Sequence, residues 1–186
     1  MGVLMNLIDK TEELLGHSPH PAIVGLPIGA WAVSNLCDVM SLCTGDEAYD
    51  DAARISLGIG LVGAAGAIVT GLRDFSSIPK ERPSHEIATR HGIGNAIATS
   101  LFTASYLLRR KGSDPGPLAR LFGLAGGGLA LYTAWLGGVL VEEHGEAVKP
   151  VMEQQKKQEQ GSRARRGEHE GAYSGRDRAK TLTGTA

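Results

Sequence analysis

Apolar positions fall in four long runs, roughly 21–43, 55–72, 92–108 and 118–141, with short polar stretches between them. Each run is close to the ~20 residues that an apolar helix needs to cross a bilayer. The pattern predicts an all-α fold, a four-helix transmembrane bundle over residues 17–150. Ahead of it, Leu4, Leu7, Thr11, Leu14 and Leu15 recur at helical spacing while Asp9, Lys10, Glu12 and Glu13 fall elsewhere. That spacing predicts a short amphipathic surface helix over 1–16, lying on the membrane or on the bundle. After Pro150 the periodicity stops, and Gln, Lys, Glu, Gly, Ser and Arg dominate through Ala186. The composition there is that of a disordered polar tail over 151–186.

If all four runs cross, alternate ends share a membrane face. The start of the first, the end of the second, the start of the third and the end of the fourth bring His20, Asp74, His85, His91, Asn95 and His144 to one side. Ionisable groups at membrane depth are costly and tend to mark function. Within the first run, His20, Val24, Pro27, Trp31, Ser34 and Asp38 follow a 4-3-4-3-4 spacing, which sets them on one inward face. Pro27 should kink that helix. Asp38 lies about 27 Å along the axis from His20, which puts it at the opposite interface in a capping or solvated position.

The second run repeats small residues at i, i+4 (Gly60/Ala64, Gly63/Ala67, Gly66/Thr70), the spacing that lets membrane helices approach closely. The third is the shortest and most polar, with Asn95, Thr99, Ser100, Thr103 and Ser105, and should be interior. In the fourth, Thr133, Gly137, Leu140 and His144 share a face.

Composition sharpens this picture only when the chain is divided. Mean hydropathy near zero is the average of an apolar body and a polar tail. The 26 glycines suit helices that pack in lipid. A formal net charge of −1 argues against nucleic-acid binding. The expected partners are the lipid bilayer, a second copy of the chain through its glycine faces, and a membrane redox partner. The first residues lack the basic start and apolar length of a signal peptide. Lys and Arg lean slightly toward the histidine side, which places that side and both termini in the cytoplasm. Cys37 and Cys43 point in different directions on one helix and should not pair, and no CxxC or CxxCH is present.

Several short motifs occur in order: His20-Pro21 with Pro27, Thr70-Gly71-Leu72-Arg73-Asp74, His91-Gly92-Ile93-Gly94-Asn95, and Leu136-Gly137-Gly138 leading to His144-Gly145. Together, over about 17–150, they resemble a bacterial four-helix integral membrane family known only as a domain of unknown function. The resemblance implies a multi-pass protein of the bacterial cytoplasmic (inner) membrane. Some relatives carry or neighbour a Rieske-type iron–sulfur domain, which implies electron transfer; the tail of this chain lacks the Cys and His pairs of such a domain.

Three functions compete on these residues. The leading one is a redox module in which two of His20, His91 and His144 bind b-type haem, with Gly92, Gly94, Gly137 and Gly138 leaving room for the ring. A second is a non-haem metal or proton-relay site of His20, Asp74, His91 and His144, supported from behind by Arg73 and Asn95. The third is a structural or partner-binding protein in which the same groups cap and tie helix ends. No nucleophile–base pair in a recognisable motif points to hydrolysis or group transfer, and no enzymatic reaction is assigned.

Overall fold

The computed structural model describes residues 2–148 and, between 151 and 162, all but 152, 156 and 159. The chain divides into two compact units, Met1–Ala147 and Val148–Ala186. The first holds six helices: α1 (Gly2–Leu15), α2 (His20–Ile23), α3 (Gly25–Thr44), α4 (Ala48–Ser76), α5 (Pro83–Leu108) and α6 (Gly116–Glu142). Among the described residues there is no strand. In the second unit the described residues between 151 and 162 are helical. The remainder of the segment expected to be a disordered tail lies outside the described residues.

Local chemistry sets the element boundaries. Pro27 lacks the N–H that would bond the carbonyl of Ile23, and its ring crowds that carbonyl. The helix is interrupted at Val24 and resumes at Gly25, which sets the α2/α3 junction just before Pro27. α3 stops at Gly45, whose φ of +72° needs no Cβ and whose N–H donates to the Ser41 carbonyl over 2.8 Å. α5 opens on Pro83, which needs no hydrogen-bond acceptor in a first turn. Asp114 Oδ1 accepts from the Gly116 N–H over 2.8 Å at the start of α6.

Polarity is arranged inside out. The buried positions of the long helices include Ser34, Asp38, Thr70, Ser105 and Thr133, and Arg109 just after α5 is buried as well. Large apolar side chains such as Leu36, Leu42, Val62, Leu72, Leu131 and Trp135 point outward and are more than 60% exposed. A water-soluble domain does not expose apolar surface on that scale. Among the described residues, three segments are long and apolar enough to cross a membrane: His20–Thr44, Ala48–Ser76 and Gly116–Glu142. α5 falls short of the expected fourth span because His85, His91, Asn95 and a series of Ser and Thr lower its hydropathy. It is nonetheless 26 residues long and packs against both α4 and α6, while α3 packs against α4 and α6.

Close approach of α3 and α4 uses the small-residue repeat. A Cβ on Gly63 would sit 2.9 Å from Pro27, one on Gly66 would sit 3.5 Å from Ile23, and one on Gly60 would overlap the Trp31 indole. Trp31 is itself stacked on Phe102, with ring centroids 4.2 Å apart and planes at 19°. These two rings, with Leu57 and Ala64, form the apolar centre of the fold. The indole is held from both sides and cannot retreat. Gly60→Ala therefore lowers stability by about 1–3 kcal/mol, the usual cost of overpacking. Gly128→Ala, whose Cβ meets nothing within 4 Å, leaves it unchanged. Thermal unfolding of the two variants in one detergent checks the contrast.

Candidate functional site

The expected histidine end of the molecule exists, and its groups arrive from different helices. Ser18, just before α2, donates from Oγ to Asp74 Oδ2 of α4 over 2.6 Å, and accepts from the His20 N–H over 3.2 Å. The His20 ring lies over α4 where only glycine fits: a Cβ on Gly71 would come 2.8 Å from its Cε1. His20 Nδ1 is 3.1 Å from Thr70 Oγ1. The Thr70 hydroxyl spends its own proton on the Gly66 carbonyl at 3.0 Å, so His20 donates from Nδ1 and carries its lone pair on Nε2.

His91 of α5 is held from two sides. Its Nδ1 donates to the Thr133 carbonyl of α6 over 2.8 Å, which makes Nε2 the acceptor for Asn95 Nδ2 at 3.2 Å. Asn95 Nδ2 also donates to the His91 carbonyl over 2.9 Å, and Asn95 Oδ1 accepts from the Thr133 hydroxyl over 3.0 Å. Glycine again makes the space, since a Cβ on Gly137 would lie 3.1 Å from His91 Cε1. His20 is within electrostatic range of both Asp74 and His91. Three ionisable groups from α2, α4 and α5 thus form one cluster at this end.

Other expected members sit elsewhere. Arg73 acts electrostatically on Asp74 and also reaches α1, where Nη2 meets Glu12 Oε2 at 2.9 Å and Asp9 Oδ1 at 3.2 Å. It ties the amphipathic helix to the end of α4. Arg90 pairs with exposed Glu86 one turn away. His144 lies half-buried in the turn after α6. Nearby, buried Glu146 accepts from Ser84 Oγ over 2.8 Å and lies 3.6 Å from Arg82, which joins the end of α6 to the start of α5. Among the described residues, no three His, Cys, Asp or Glu side chains come together as a set able to hold a metal ion. His85 stacks against Phe75, with centroids 4.9 Å apart. Cys37 and Cys43 are both free, as their spacing requires.

The opposite end carries a second polar centre that sequence reasoning missed. Asp38 is neither solvated nor capping a helix. Arg109 grips it through two parallel bonds, Nη1 to Oδ1 at 2.7 Å and Nη2 to Oδ2 at 2.6 Å, and the two side chains are only 2% and 1% exposed. Ser105, one turn before Arg109, lies 3.3 Å from the guanidinium and donates to the Ala119 carbonyl over 2.7 Å. Beside this pair, Arg120 joins Asp50, Ser41 and Asp114. The inward face through Trp31, Ser34 and Asp38 was the available signal on α3; Ser105 and Arg109 at i, i+4 were its counterpart on α5.

A family model described as "Predicted membrane protein (DUF2231)" matches residues 16–150, most of the chain. No curated protein and no solved structure matches it.

The buried pair makes a quantitative expectation. Removing one partner leaves the other charge desolvated and uncompensated, which costs about 3–5 kcal/mol, whereas replacing both with apolar groups of similar volume is often neutral. Asp38→Ala should therefore lower the unfolding temperature of the detergent-solubilised protein by many degrees. Asp38→Leu combined with Arg109→Met should recover most of the loss. Equal damage in the single and double variants would show that the pair holds no special place in the packing.

Proposed function

The chain belongs to this family of predicted membrane proteins, and we propose that it is a four-span protein whose His20–Asp74–His91 cluster relays protons at one membrane face. α5 is the fourth span in this reading. Its polar groups are satisfied by neighbours: His91 and Asn95 by α6, Ser105 by Ala119, and Arg109 by Asp38. Such pairing is what allows polar side chains at membrane depth. The membrane is the bacterial cytoplasmic membrane, with both termini and the histidines on the cytoplasmic side.

The observation that carries the relay is the setting of the His20 ring. His91 is bonded at both nitrogens and holds α5 to α6. His20 is held at Nδ1 by Thr70, lies by the Ala67 carbonyl and has Asp74 within electrostatic range, and in this reading it is the group that takes up the proton. A proton taken at Nε2 is balanced by Asp74, which Ser18 holds in place. The apolar centre of Trp31, Leu57, Ala64 and Phe102 separates this cluster from the Asp38–Arg109 end. The relay therefore exchanges protons with one side and does not leak them across the membrane.

One feature favours a second reading, redox chemistry at a haem or metal. Both rings donate from Nδ1 to protein oxygens, the orientation that prepares Nε2 to bind a metal. On His91 that lone pair already accepts from Asn95, so ligation there requires Asn95 to swing aside.

Nitrogen NMR of 15N-histidine-labelled full-length protein in nanodiscs tests the relay between about pH 5 and 9. The expected result is a His20 signal that titrates with a midpoint displaced by Asp74→Asn. A His20 signal unmoved over the whole range would reduce the cluster to a helix tie and end the proposal. A Soret band with sharp alpha and beta bands in the reduced-minus-oxidised spectrum, lost in His91→Ala, would replace the relay with the haem reading.

A further inference from the structure

The arginines of this fold find carboxylates, with two exceptions. Arg73, Arg82, Arg90, Arg109 and Arg120 each lie within ion-pair distance of one. Among the described residues, Arg54 and Arg110 meet none. Arg54 stands one position before the apolar run 55–72 of α4, at the level where that helix leaves the hydrocarbon. A cation placed there without a counter-charge has an open valence towards the headgroup layer.

Arg54 is nonetheless held in place. Its Cζ lies 5.3 Å from the centroid of the Tyr106 ring of α5, a cation–π contact across the α4–α5 seam. The ring rests on Gly58, where a Cβ would come 3.3 Å from it. Nε is enclosed, which leaves the two Nη groups as the accessible end of the guanidinium. A hydrogen bond brings more positive charge to the same corner: the Gly112 N–H donates to Asp51 Oδ1 over 3.0 Å and holds the loop after α5 against the first turns of α4. That loop carries Arg110 and Lys111, both exposed. The carboxylates of those turns are already bonded, Asp51 to this N–H and Asp50 to Arg120. Beside Arg54, Ile55, Ile59 and Val62 recur at i, i+4, i+7 and form an exposed apolar stripe on α4.

We propose that this corner binds the phosphate of an anionic phospholipid. The two Nη groups donate to the phosphate oxygens as a fork, a geometry that a guanidinium offers and an ammonium does not. Arg110 and Lys111 favour a headgroup of net negative charge over a zwitterionic one. The acyl chains lie along Ile55, Ile59 and Val62. Inorganic phosphate presents the same oxygens without the chains, so the apolar stripe is what selects lipid. Arg54 begins α4 and Asp74 ends it, so this site stands whether or not the histidine cluster takes up protons.

Native mass spectrometry of the full-length chain in mild detergent tests this, with dioleoyl phosphatidylglycerol, dioleoyl phosphatidylcholine and inorganic phosphate as probes. Phosphatidylglycerol should be retained saturably, with a preference over phosphatidylcholine of about ten-fold or more. Arg54→Gln should remove that preference, while Arg90→Gln, at the opposite end of the helices, should keep it. Arg110→Gln combined with Lys111→Gln changes only exposed loop positions and should weaken the preference by about three-fold or more, whether or not Arg54→Gln folds. Equal retention of the two lipids, or an equal loss in Arg90→Gln, is unselective lipid coating and overturns the proposal. So does a preference that the loop variant leaves unchanged. Displacement of phosphatidylglycerol by millimolar inorganic phosphate, which then stays bound alone, assigns the corner to free phosphate and overturns the lipid reading.

Discussion

The bidentate pair between Asp38 and Arg109 sets the terms for the rest of the molecule. A guanidinium and a carboxylate, both stripped of solvent, can persist at this depth only if each satisfies the other and the remaining donors find partners. Ser105 takes up that remainder and passes it to the Ala119 carbonyl, so α3, α5 and the start of α6 are fixed to one another. The same demand recurs at every buried polar group: His20 with Thr70, Ser18 with Asp74, His91 with Thr133 and Asn95, and Arg120 with Asp50. With apolar side chains turned outward, lipid offers no preference for helix association. The specificity of this packing comes from these bonds and from shape.

Shape is supplied by absence. At four places where a large ring crosses from one helix to the next, a glycine stands opposite: Gly60 under Trp31, Gly71 under His20, Gly126 under Phe102 and Gly137 under His91. Bonds and glycines are two halves of one device. A histidine reaches a hydroxyl or carbonyl on the neighbouring helix only because no Cβ keeps that helix away. This explains why the glycines cluster in the helices rather than in the loops, and why few of them adopt positive φ.

Much of the helical plan was legible in the sequence, because membrane helices declare themselves by run length and small-residue spacing. The inward face through Trp31, Ser34 and Asp38, the kink at Pro27 and the histidine end all follow from a period of 3.6 residues and an alternating chain direction. Partner choice did not. Asp38 and Arg109 are 71 positions apart, and a charge at the end of an apolar run looks the same whether it meets water or a guanidinium. Arg73 was expected to support the site from behind, and nothing in the spacing told that its long side chain also reaches α1. α5 showed its polarity openly, but only the bonds made by Asn95, Ser105 and Arg109 show how such a helix is accommodated. The positions of His20 and His91 were foreseeable; the bonds that fix the tautomer of each ring were not.

The resulting molecule has polar layers at its two ends and an aromatic layer between them. The end layers differ in kind. At Asp38–Arg109 every charge is matched by a fixed partner through two bonds, an arrangement that resists change. At the other end, His91 is bonded at both nitrogens, and His20, held at Nδ1, lies within range of a carboxylate held by a single hydroxyl. The rigid pair ties α3 to the end of α5, the aromatic centre lies between the two polar ends, and the histidine end is joined by single hydrogen bonds rather than by a bidentate ion pair.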